Sequence, residues 1–202
     1  MPRHDTYVEP YLGSGAVIRN KLAAKKNIIN DLDASCLINV SIDNHTLEKH
    51  NLDAIQLLKN TPLDKRTLIY CDPPYVHSTR KKINIYKHEY SDAMHIDLLE
   101  FLTKQSCMVM ISGYDSPLYQ KYLQNWNSHS FSSQTQNGVR EETVWFNFEK
   151  PQQLHDSSHL GKCFRERQTI KRRFDRLKQK FTKMDIQERS AFMEWLNQEF
   201  TV

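Results

Sequence analysis

Thr67-Leu68-Ile69-Tyr70-Cys71-Asp72-Pro73-Pro74-Tyr75 joins an apolar run to a carboxylate, two prolines and an aromatic ring. The run reads as a buried strand. The prolines fix φ and remove two backbone donors, so the carbonyls of Asp72 and Pro73 leave a stiff turn beside the Asp72 carboxylate. Two such acceptors suit a planar base bearing an amino group, with Tyr75 stacked on its face. The same residues also make an ordinary strand-ending turn, because Asp and Pro are common turn formers.

Upstream, Thr6-Tyr7-Val8-Glu9-Pro10 reads as a strand ending on an acid, followed by the loop Tyr11-Leu12-Gly13-Ser14-Gly15 and a helical stretch from Ala16 to Lys21. Strand, glycine turn and helix form the first step of a nucleotide-binding α/β unit. A second strand, Asn27–Asp31, ends on a carboxylate 18 residues after Gly13. That is close to the spacing of an acid that accepts from ribose hydroxyls. Asp31 or Asp33 also serves as a helix cap for Ala34–Val40. Val40–His45 is ambiguous. Asp53 caps the amphipathic run Ala54–Leu58 and stands where an adenine amino group can be met.

Downstream, Arg80-Lys81-Lys82 reads as a solvated loop or a phosphate contact. His95–Leu102 has helical periodicity, Cys107–Ser112 is a buried strand, and Pro117–Trp126 is an aromatic-rich helix assigned to the core. Ser128–Ser133 and Glu142–Phe148 predict an antiparallel hairpin around the polar loop Gln134–Glu141. Strands alternate with helices to about residue 126, which argues a mostly parallel sheet. The expected domains are an α/β unit over 1–150, which by the resemblance given below is the catalytic one, and a basic helical tail over 151–202. Lys162–Lys183 holds ten Lys/Arg against two acids and predicts a basic amphipathic helix, with Ile186–Phe200 as its partner.

The charge supports that division. From Lys150 onward there are 12 Lys/Arg and 7 Asp/Glu, against 16 and 17 before it. An excess confined to the tail points to a polyanion. No apolar run reaches the ~20 residues of a membrane span, and Pro2-Arg3-His4-Asp5 is not a secretory signal. Cys36, Cys71, Cys107 and Cys163 form no CxxC pair, so no zinc site or disulfide framework is expected. A reducing cytoplasm is the expected compartment.

Glu9-Pro10, Gly13-Ser14-Gly15, Asn30-Asp31-Leu32-Asp33, Asp53-Ala54 and Asp72-Pro73-Pro74-Tyr75, in this order, resemble the Dam-like, phage-type family of adenine-specific DNA methyltransferases. The likeness extends to Tyr86–Glu89, Ile111–Tyr114, Arg140–Trp145 and the tail from Leu160 to Arg173. It implies a Rossmann-like S-adenosylmethionine-dependent methyltransferase fold, with methyl transfer to the exocyclic nitrogen of adenine. By resemblance, Glu9, Pro10, Gly13 and Gly15 hold the methionine part of the cofactor, Asp31 its ribose and Asp53 its adenine, with Asp72 beside them. Asp72 and the Pro73 carbonyl accept from the target amino group, and Tyr75 stacks on the base. Arg80, Lys81, Lys82, Lys171, Arg172 and Arg173 are the expected nucleic-acid contacts. Double-stranded DNA is the expected partner, with a cognate restriction endonuclease as a further one, and the chain is expected to be a monomer needing no metal.

Two parts of the family pattern are absent. Only eight residues precede Glu9, with no Tyr-x-Gly-Gly-Lys-like motif, and 40 residues separate Asp31 from Asp72 where members carry a longer recognition region. A short-form or prophage-derived member is therefore expected. The alternatives are a methyltransferase of the same fold acting on RNA or a protein amide, or a DNA-binding remnant without activity.

Overall fold

The computed structural model describes residues 1–42, 46–76, 89–135 and 138–200. Contacts divide them into two compact units, Met1–His155 and Asp156–Val202.

In the first unit, seven strands of the described residues form one sheet in the order β3-β2-β1-β4-β5-β7-β6. They are β1 (Thr6–Glu9), β2 (Lys26–Asn30), β3 (Thr46–His50), β4 (Thr67–Cys71), β5 (Met108–Gly113), β6 (Asn127–Thr135) and β7 (Gly138–Phe146). The first five run parallel. β7 is antiparallel to β5 and to β6. The expected mostly parallel sheet with a late antiparallel hairpin is therefore the observed one.

Strand side chains alternate between faces, so an apolar run with no polar partner residues needs cover on both sides. Val8, Ile28 and Ile69 enter one core with Leu57, Leu58, Leu98, Leu99 and Leu102. Their strand neighbours Tyr7, Ile29 and Leu68 enter a second core with Leu12, Ile18 and Leu37. α1 (Ala16–Asn20) supplies Ile18, α2 (Ala54–Asn60) supplies Leu57 and Leu58, and α3 (Asp92–Thr103) supplies Leu98, Leu99 and Leu102, while Leu12 comes from the loop after β1 and Leu37 from a 3₁₀ turn. The Asp53 side chain caps α2 by accepting from the Ile55 and Gln56 amides, and Ser91 caps α3 at Met94. α4 (Pro117–Tyr122) buries Tyr119 in the first core, and Tyr122 and Trp126 pack against its edge.

Four elements differ from the sequence expectation, one being the helix expected over Ala34–Val40, which is a 3₁₀ turn over Ala34–Leu37. β3 falls at Thr46–His50, after the stretch that was ambiguous. Its residues are polar because it is an edge strand with one neighbour, and charged edges resist further pairing. The hairpin strands run further toward their turn than expected, pairing from Asn127↔Phe146 to Thr135↔Gly138, while the second ends at Phe146 rather than Phe148. The Ser-rich alternation of β6 hides a strand that is held by its ladder rather than by a core. α4 ends at Tyr122 rather than Trp126.

Asn30, the last residue of β2, clamps the edge where the functional acids lie. Its Nδ2 donates to Pro10 O at 2.9 Å and Leu52 O at 3.0 Å, and its Oδ1 accepts from the Leu52 amide at 2.9 Å. The side chain is almost wholly buried, so truncation strands three backbone groups.

In the second unit, α5 (Phe164–Lys183) and α6 (Ile186–Glu199) are the expected helices. The Arg189 guanidinium donates to Thr182 O and Met184 O, and Phe181 meets Phe192 with ring centroids 5.8 Å apart. The contacts lie at the turn, and Phe174 and Leu177 remain exposed on α5. No helix among the described residues is long and apolar enough to cross a membrane. Asn30→Ala is expected to lower the unfolding free energy of the chain by about 2–4 kcal/mol in urea denaturation, with an unchanged slope.

Candidate active site

β1 lies between β2 and β4 in the sheet, so the chain winds outward in one direction to β3 and in the other to β5. Crossover loops diverge at such a reversal and leave a crevice beyond the carboxyl ends of the strands. A cavity of about 330 Å³ occupies it, lined by Glu9, Pro10 and Gly13 of the first loop, Asp31, Asp53, Asp72, Pro73 and Tyr75, among others. The size falls in the range of small-molecule sites.

Each acid meets a donor. Asp31 Oδ2 accepts from the Gly13 amide and Oδ1 from the Asp33 amide, both at 2.8 Å. A carboxylate offers about four lone-pair positions, so two remain for ligand hydroxyls. Gly13 makes this bond at φ 52°, the left-handed region that favours glycine. Of the two candidate caps for the next segment, Asp33 is the one used: it caps a short 3₁₀ turn at Ala34–Leu37 through the Ser35 amide. Asp53 makes both its capping bonds through Oδ1, which leaves Oδ2 to accept from a ligand amine. Cap and ligand acceptor are thus compatible roles.

Glu9 is buried, and Tyr7 donates its hydroxyl to Oε2 at 2.9 Å. Burial pushes its carboxyl up to about 8. The Tyr7 hydrogen bond opposes that rise, and the nearby Asp72 carboxylate adds to it. Lys21 lies with Nζ 4.1 Å from the Tyr7 ring centroid, and burial lowers its pKa to about 8.

Asp72 follows β4. Surrounding protein raises its pKa to about 6, against the lowering effect of a hydrogen bond from Ser112, with Glu142 adding to the rise. The residue is nonetheless solvent-exposed, so water offsets part of that burial. Ser112 Oγ donates to Asp72 Oδ1 at 2.9 Å. Tyr75 faces Tyr114, ring centroids 4.4 Å apart and tilted by 56°. The Arg140 guanidinium lies 5.3 Å from the Tyr114 centroid.

The structure brings Glu9, Pro10, Gly13, Asp31, Asp53, Asp72, Pro73 and Tyr75 to one cavity. Gly15 is not among its lining residues. It is the residue before α1, at φ 70°, and a Cβ there would lie 3.3 Å from Arg19 Nε. Its role is to turn the loop, because side chains are strained at that φ. Lys171, Arg172 and Arg173 are exposed on α5 in the second unit. Arg80, Lys81 and Lys82 lie outside the described residues. Two contributors were assigned no role from the sequence, although Asn30 belongs to one of the motifs that carry the resemblance. Tyr90 lines the cavity and accepts the Tyr11 hydroxyl at 2.8 Å, and Asn30 clamps its rim. Strand pairing brings Asn30 there, and packing in the core ahead of α3 brings Tyr90. No cluster of metal-ligating side chains occurs among the described residues.

No protein-family model matches the sequence, and no curated protein matches it. Solved structures do match. An rRNA methylase from Streptococcus thermophilus is similar at 11% identity and a TM-score of 0.50, over 73% of this chain and 89% of that one. TrmK of M. capricolum with S-adenosyl-homocysteine aligns at 8% identity and a TM-score of 0.48, over 98% and 90%. The N-methyltransferase NodS from Bradyrhizobium japonicum WM9 aligns at 10% and 0.47, over 73% and 88%. The chain has the Rossmann-like methyltransferase fold.

The Glu9 carboxyl stays protonated in the folded chain well above its ordinary value of 4.5, so the folded state binds the extra proton. Stability is therefore greatest at low pH within this window and falls as pH rises from about 4.5 to about 8. Asp72 contributes with the same sign below about 6. Glu9→Gln is expected to flatten most of this decline, read as melting temperature against pH between 5 and 8.5.

Proposed function

We propose that this protein transfers a methyl group from S-adenosylmethionine to the exocyclic amino nitrogen of adenine in DNA. The observation that carries the reading is the meeting of the Asp72-Pro73-Pro74-Tyr75 turn with Glu9, Asp31 and Asp53 around one cavity. A nucleoside-type acceptor set and an amine-accepting turn then share a single space.

The donor set fits the cofactor group by group. Asp31 has lone pairs for two ribose hydroxyls, and Asp53 Oδ2 for the adenine amine. Glu9 matches the α-ammonium of the methionine part, which favours its ionised form. The bound cofactor supplies a methyl group on a positively charged sulfur, which leaves as a neutral thioether. The chain's part is positioning. Asp72 and the Pro73 carbonyl accept the two N–H bonds of the target amine and draw its lone pair out of conjugation with the ring. Acceptors already in place stabilise the positive charge that develops on that nitrogen. Tyr75 offers a stacking face for a base lifted from the duplex, an event costing a few kcal/mol. Phosphate contacts by Lys171, Arg172 and Arg173 on α5 offset part of it. An RNA adenine is the second reading, since an rRNA methylase shares the fold.

Calorimetric titration of the full chain with S-adenosylmethionine is expected to show micromolar binding, weakened at least tenfold by Asp31→Ala. Because Glu9 is protonated before binding, the heat is expected to vary with buffer ionisation enthalpy, reporting a released proton. Transfer of labelled methyl to duplex DNA is expected for the wild type and not for Asp72→Ala, which still binds the cofactor. Methylation of RNA alone overturns the DNA assignment. A folded chain that binds DNA but no cofactor is the remnant instead. Replacing Lys171, Arg172 and Arg173 by Gln is expected to weaken DNA binding at every sequence alike. It should also lower the slope of log affinity against log salt by about 2–3.

A further inference from the structure

We infer that Ser112, itself held by Tyr70, is a positioning residue that occupies one oxygen of the Asp72 carboxylate and so dedicates the other to the amino group of the target base. The inference rests on the methyl-transfer reading above for its consequence, but not for its geometry.

The register puts the three residues together. β4 and β5 run parallel with Cys71 opposite Ile111, so Ser112 stands beside Asp72. Ser112 is buried, with 3% of its surface exposed. Its hydroxyl has three oxygen neighbours: Asp72 Oδ1 at 2.9 Å, Tyr70 Oη at 3.2 Å and Cys71 O at 3.4 Å. A serine has one proton to give. The carboxylate is the nearest of the three and the one that carries charge, and charge-assisted bonds are the strong ones. Ser112 therefore donates to Asp72, and the contact with Tyr70 must run the other way. Burial pushes the Tyr70 phenol well above its ordinary pKa, so it keeps its proton and donates. The chain Tyr70 to Ser112 to Asp72 has one direction, and each bond polarises the next.

This chain acts against its surroundings. Glu9 approaches from the end of β1, Glu142 from β7, Cys71 and Tyr70 from β4 and Tyr119 from α4. No cation is among these neighbours in the described residues, and a second carboxylate favours the protonated form of the first. The Ser112 bond favours the charged form. It also engages Oδ1 from the protein side, which leaves Oδ2, among the described residues, as the oxygen to accept from a ligand. A carboxylate without that bond can rotate, so either oxygen, or a proton, can face the base.

The test reads Asp72 directly. The full chain, labelled with ¹³C at aspartate carboxyls, is titrated by NMR in the absence of any substrate, with Asp72→Asn assigning the signal. The Asp72 midpoint is expected to rise by one pH unit or more in Ser112→Ala and to return to within a few tenths of the wild-type value in Ser112→Thr, which keeps the hydroxyl. In Tyr70→Phe it is expected to rise by a smaller amount. In methylation assays Ser112→Ala is expected to lose tenfold or more in kcat, with KM for DNA unchanged and the acid limb of the pH profile moved upward. Midpoints that coincide in wild type, Ser112→Ala and Tyr70→Phe overturn the inference, as does a Thr variant that titrates like the Ala variant. Should Ser112→Ala fail to fold, the Thr and Phe variants alone still decide it. A chain whose midpoints move as expected but which methylates nothing supports the positioning chain and overturns methyl transfer.

Discussion

The parallel pairing of β1 with β2 on one side and β4 on the other is the constraint on which the rest depends. In-register parallel strands end together, so the residues that follow them come to one edge. Glu9 ends β1, and Asp31 and Asp72 follow β2 and β4 directly. Asp53 follows β3 by way of the stretch that Asn30 clamps. An antiparallel β1 would send Glu9 to the far edge and leave no crevice between diverging crossovers.

Four acids at one edge repel one another, and the fold answers each with a hydrogen-bond donor, with the Lys21 ammonium also favouring the charged form of Glu9. Backbone amides serve Asp31 and Asp53, the Tyr7 hydroxyl serves Glu9, and the Ser112 hydroxyl serves Asp72. Neutral donors relieve the acids without cancelling their charge. Glu9 goes further and holds its proton to about 8. The edge is thus prepared for a ligand that brings positive charge and hydrogen-bond donors together. The same preparation costs stability as pH rises, since the raised carboxyl groups must ionise inside the folded chain.

Much of this was legible in the residues. The strands Thr6–Glu9 and Thr67–Cys71 announce themselves because both faces of the sheet are covered, which gives adjacent apolar residues such as Tyr7-Val8 and Leu68-Ile69 rather than alternation. Asp53 is readable as a cap because it directly precedes an amphipathic run. β3 and the full length of β6 were not readable, because polar strands owe their existence to a neighbour's ladder and not to their own pattern. Gly15 reads as a cofactor contact by resemblance, and in the structure it stands at φ 70° before α1 and outside the cavity lining, a placement that depends on φ and on where the cavity lies.

The sequence by itself determined the apolar strands and the capped helices, that acids follow the strands, and that the tail is basic, because these depend on local periodicity and residue chemistry. Only the tertiary structure decided that Tyr90 and Asn30 belong to the cavity, that Tyr114 meets Tyr75, and that Ser112 holds Asp72. Each of those contacts joins residues about 20 to 80 positions apart. Such pairs are set by strand order and register, and register is a property of the whole sheet.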